Sequence, residues 1–133
     1  MRRTTLFRIL TLLYIAAVAV LCFAKFSSLP SVPGSFLGIP MDKIVHFLMF
    51  LPFPVLALFS FRLRSPKVLT VVLLVVGIFA VGCIMAWCTE IIQGRLPYRT
   101  MDPNDFAADR LGLVLGALIA FIISLFTLKK ADA

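Results

Sequence analysis

The stretch VLTVVLLVVGIFAVGCIMAWCT, residues 68–89, carries no charged side chain. A helix over that length crosses the hydrocarbon of a bilayer, which takes about 20 mainly apolar residues. Three further runs meet the same requirement: 44–61 just before it, 106–128 after it, and 6–26 near the N-terminus. The spans 6–26, 44–61, 68–92 and 106–128 predict an all-α integral membrane protein, one domain over residues 1–133 forming a four-transmembrane-helix bundle. Composition excludes a soluble fold. With 62% hydrophobic and 14% charged residues and a mean hydropathy of +1.08, 133 residues offer too little interior for the apolar surface.

The first run has a second possible meaning. Arg2, Arg3 and Arg8 ahead of Ile9 to Ala24 also describe a secretory signal. That core is long for a signal, and Leu21 before Cys22 fits a lipoprotein signal poorly, so a retained spanning helix is expected. The cysteines Cys22, Cys83 and Cys88 all lie in apolar stretches and are odd in number, so they read as packing residues rather than a disulfide framework.

Basic residues set the expected orientation. Arg2, Arg3, Arg8, Arg62, Arg64, Lys67, Lys129 and Lys130 fall on one side of the bilayer. Lys25, Lys43, Arg95, Arg99 and Arg110 fall on the other. The richer side faces the cytoplasm, which places both N and C termini there. Acids sharpen the contrast: Asp42, Glu90, Asp102, Asp105 and Asp109 accompany the second set, and Asp132 alone the first. The net charge of +7 therefore reads as a topology signal. It forms no basic helix face interleaved with aromatics, so no nucleic acid is expected as a partner.

This topology brings three polar groups to the outer face. The second span starts with Asp42, Lys43 and His46; the third ends with Glu90 and Gln93; the fourth starts with Asp105, Asp109 and Arg110. Arg99 lies in the loop between the last two. Asp42 and His46, four apart, share a helix face. Gly82, Ala86, Glu90 and Gln93 form one stripe, and Asp105, Asp109, Gly112 and Gly116 another. Gly112 and Gly116 are a small-xxx-small pair that admits a neighbouring backbone.

Plainer roles compete with function at several of these positions. Asp42 can cap the second helix, and Asp102-Pro103-Asn104-Asp105 reads as an N-cap, Pro at the first position and an acid in the first turn. Asp109 and Arg110 can form a local charge pair. Lys25 and Arg95 suit interfacial anchoring. Pro52 and Pro54 predict a kink in the second span. No catalytic motif is present. One imidazole among dispersed acids is a weak ligand signature, so no metal and no cofactor is expected.

Asp42-Lys43-Ile44-Val45-His46-Phe47, then Glu90-Ile91-Ile92-Gln93, Arg99, Asp105 and the Gly112–Gly116 spacing together resemble the VanZ-like family of bacterial membrane proteins over residues 42–116. Asp109 departs from the pattern, which commonly has Asn there. The resemblance implies a multi-pass protein of the bacterial cytoplasmic (inner) membrane with an envelope role. The family's namesake is associated with glycopeptide resistance.

The combined expectation is a binding protein whose partners are the bilayer and an anionic lipid or peptidoglycan-precursor head group. The ligand-binding residues would be Asp42, Lys43, His46, Glu90, Gln93, Arg99, Asp105 and Asp109. Lys43 and Arg99 would meet the anion, and the others would position it. Two alternatives stay open: an intramembrane enzyme using His46 with Glu90 or Asp105, and a polar staple that only holds the bundle together.

Overall fold

A computed structural model describes residues 2–25, 34–63 and 66–131. Phe26, the last residue of the first expected span, and the seven residues after it lie outside the described residues, as do Arg64 and Asp132. The chain forms α1 (Arg3–Phe23), a two-residue-per-strand hairpin β1 (Ser35–Phe36) and β2 (Ile39–Pro40), α2 (Met41–Phe50), α3 (Phe53–Phe59), α4 (Val68–Gln93) and α5 (Pro103–Ala131). Four helical units are long and apolar enough to cross a membrane: Arg3–Phe23, Met41–Phe59, Val68–Gln93 and Pro103–Leu128. Three of the four begin about three residues before the expected bounds, because polar first-turn residues such as Asp42 and Asp105 still belong to the helix.

Packing inverts the soluble pattern. On α4 the buried stripe is Val71, Ile78, Gly82, Ala86, Thr89, Glu90 and Gln93, while Leu69, Leu73, Val76, Val81 and Ile84 point outward. Lipid solvates large aliphatic side chains as well as another helix does, so small residues collect where helices touch. A central core of Phe50, Phe53, Leu58, Ile78, Ala86, Leu113 and Ala120 joins the helices, and Val18 and Cys22 bring α1 into it.

The second span breaks rather than bends. Pro52 and Pro54 supply no N–H to the carbonyls of Leu48 and Phe50, so α2 stops at Phe50 and α3 restarts at Phe53. Neighbouring helices exploit the exposed backbone. The Tyr14 hydroxyl of α1 donates to the carbonyl of Met49. From the other side α5 lies directly on the break: a Cβ on Gly112 would collide with the Phe47 carbonyl oxygen, and one on Gly116 with that of Leu51. The glycine pair thus admits the backbone of α2 and α3.

The hairpin is absent from the sequence reading. Its turn has Leu37 at φ 51 and Gly38 at φ 79, both left-handed as a tight two-residue turn requires. Leucine seldom adopts that region, which is why the turn gives little signal.

Candidate functional site

The starts of α2 and α5 and the end of α4 meet at one end of the bundle. Lys43 Nζ donates to Asp42 Oδ2 at 2.9 Å, to Asp102 Oδ2 at 2.5 Å and to Asp105 Oδ1. An ammonium has three hydrogens, so this set engages all of them. Lys43 therefore holds α2 to α5 and the preceding loop.

His46 lies one turn deeper. Its Nδ1 is 2.9 Å from Asp109 Oδ1, and its Nε2 is 3.6 Å from Asp105 Oδ2. The nearest acid to the imidazole is thus Asp109, rather than the Glu90 or Asp105 of the enzyme reading. Asp109 turns to His46, and the Arg110 guanidinium stacks on the Phe106 ring at 4.8 Å, so the local charge pair that competed as a plainer reading does not form.

Glu90 is fully buried. Its Oε2 accepts the backbone N–H of Asp102 at 3.1 Å, fixing the loop that leads into α5. Asp102 is the N-cap of that helix: Oδ1 accepts the N–H of Asn104 at 2.8 Å, with Pro103 at the first position. Asp42 is not the N-cap of α2: Pro40 holds that position, and Asp42 sits in the first turn with its carboxyl turned to Lys43. The Asp102 carboxyl is held below its usual range, first by the Lys43 ammonium and then by the Asn104 N–H.

The end of α1 closes the site. Gln93 Nε2 donates to the Cys22 carbonyl at 3.1 Å, the Tyr98 hydroxyl to that of Phe23 at 2.7 Å, and Arg99 to those of Leu21 and Ala24 at 3.1 and 3.4 Å. These are the carbonyls that a helix C-terminus leaves without intrahelical partners. Lys25 sits over the Tyr98 ring at 5.9 Å, consistent with an anchoring role.

Above this polar floor is a pocket of about 430 Å³ lined by Asp42, His46, Gln93, Arg99, Tyr98, Thr100, Pro97 and Asp105. Five of the eight expected site residues line it; Lys43, Glu90 and Asp109 lie outside that lining. The sequence reading passed over Tyr98 and Thr100, which flank Arg99, and gave Asp102 a capping role only. Acids that look dispersed along the chain converge here. His46, Glu90 and Asp109 offer possible ligand atoms within 4.8 Å of one another, as do Asp42, Asp102 and Asp105. Lys43 already occupies the second group.

Comparison with curated proteins and with solved structures gives no match. A family model described as VanZ/LLP1 matches residues 10–124, well beyond the 42–116 on which the resemblance was read, and takes in most of α1. That match covers most of a chain with four apolar helices of spanning length, and this multi-pass membrane protein belongs to the VanZ/LLP1 family.

Proposed function

We propose that the protein binds the polar head group of an anionic lipid or cell-wall precursor in the pocket above Lys43 and His46, at the outer face of a bacterial cytoplasmic membrane. The observation that carries this reading is a pocket of about 430 Å³ that is ringed by polar side chains and has Arg99 in its wall. Arg99 uses one terminal nitrogen on α1 carbonyls, and its other donors have no partner among the described residues. A planar cation with spare donors suits phosphate or carboxylate. The orientation rests on the eight-to-five basic split, which puts both termini in the cytoplasm and the pocket outside. An envelope role, including one in glycopeptide resistance, is in keeping with the family. The staple reading is favoured at Lys43 alone, where every ammonium hydrogen meets a carboxylate.

The test uses the full chain in phosphatidylcholine nanodiscs titrated with an undecaprenyl-pyrophosphate-linked precursor, and in parallel with phosphatidylglycerol. Arg99→Gln is expected to weaken binding of at least one of them by about tenfold or more, the scale of a lost charged hydrogen bond. Arg95→Gln is expected to leave it unchanged. Wild-type affinity in a folded Arg99→Gln protein, or no binding by the wild type, rejects the reading.

A further inference from the structure

Two carboxylate oxygens at the buried end of the site have no hydrogen-bond partner among the described residues: Glu90 Oε1 and Asp109 Oδ2. Both residues have 0% exposure. Carboxylates so placed are costly unless something neutralises them. Lys43 is committed to Asp42, Asp102 and Asp105, and no Lys or Arg pairs with Glu90 or Asp109 among the described residues. The imidazole of His46 faces both acids: its Nδ1 is 2.9 Å from Asp109 Oδ1, and possible ligand atoms of all three residues lie inside a 4.8 Å span.

We infer that His46, Glu90 and Asp109 bind a divalent first-row transition-metal ion such as Zn²⁺ or Mn²⁺. The donor set, one imidazole and two carboxylates, suits such an ion better than the all-oxygen shell that Ca²⁺ takes. His46 Nδ1 and Asp109 Oδ1, a hydrogen-bonding 2.9 Å apart, need part by only a few tenths of an ångström to reach the edge of about 3.3 Å that a tetrahedral shell with bonds of roughly 2.0–2.1 Å requires. Two buried negative charges balance one divalent ion, which Lys43 cannot do from its own cluster. Asp105 then plays the outer role common at metal-bound histidines, a carboxylate facing the second ring nitrogen, here 3.6 Å away. Three protein ligands leave further positions for water or for a group arriving through the pocket that His46 lines. The inference shares the pocket with the proposed function but does not rest on an anionic head group, because uptake of the metal alone is what is read.

The experiment uses the full chain without a polyhistidine tag, stripped with EDTA and titrated calorimetrically with Zn²⁺ and with Mn²⁺. One equivalent of at least one ion is expected, with a rise in melting temperature that EDTA reverses. Glu90→Gln and Asp109→Asn should each weaken binding by more than the roughly 10- to 100-fold typical of a lost outer-shell partner. Arg110→Gln, whose side chain stacks on Phe106, should bind as the wild type does. Should either acid variant fail to fold, Co²⁺ in the wild type decides: visible bands of a low-coordinate site that collapse when His46→Gln is introduced support the assignment. No stoichiometric uptake by the wild type, or uptake that survives all three substitutions, overturns it.

Discussion

Gly112 of α5 lies against the backbone carbonyl of Phe47, the residue after His46 in α2. That backbone contact sets the height of one helix against the other. Asp109, one turn before Gly112, is thereby brought level with His46, and Asp105, a turn earlier, with Lys43.

Adding a single methyl group at this contact should be costly. Gly112→Ala is expected to lower stability by about 1–3 kcal/mol, the usual range for overpacking, because carbonyl backbone cannot step aside as a side chain can. Gly77→Ala is the matched control: nothing lies within 4 Å of its Cβ position, and Ala is the better helix former by about 0.5–1 kcal/mol. Detergent melts of the two variants should move in opposite directions. Equal melting would mean that α5 does not ride on the α2 backbone.

Acid should loosen the loop that precedes α5. Asp102 lies outside the spanning helices, and its carboxyl is held below the usual 3.8, chiefly by Lys43. A depressed folded value contributes stability that is fully present above the unfolded value and is lost as pH falls through the folded one. Melting temperature is therefore expected to drop as pH is taken from about 5 to below about 3. Asp102→Asn, which retains an oxygen for the Asn104 N–H, should show a smaller drop over that interval. Parallel curves for variant and wild type would remove Asp102 from the linkage.

Orientation is open to labelling. In a background lacking Cys22, Cys83 and Cys88, single cysteines at Thr5 and Thr100, both exposed, should differ towards an impermeant thiol reagent applied outside intact cells. Position 100 is expected to react and position 5 to be spared. The reverse pattern inverts the bundle, and reaction at both sites contradicts the count of four crossings.

Several features needed no structure. Four apolar runs of spanning length follow from the solvent preference of their own side chains, so hydropathy alone located them to within a few residues. The cap at Asp102 with Pro103 behind it and the close approach at Gly112 and Gly116 are local requirements, written in local residues. Partner choice is different, because a charged side chain carries no label for which of several equidistant groups it will meet. Lys43 met three acids, one on α2, one on α5 and one in the loop between α4 and α5, Asp109 met His46 rather than its neighbour Arg110, and Asp42 met Lys43 rather than serving as the helix N-cap. Those outcomes depend on the relative height and rotation of α2, α4 and α5, which tertiary packing fixes, including the backbone contact of α5 at the proline break, and sequence spacing does not. The carbonyls at the end of α1 that receive Gln93, Tyr98 and Arg99 are legible nowhere in the sequence, since every residue has one and only the fold decides which are left over.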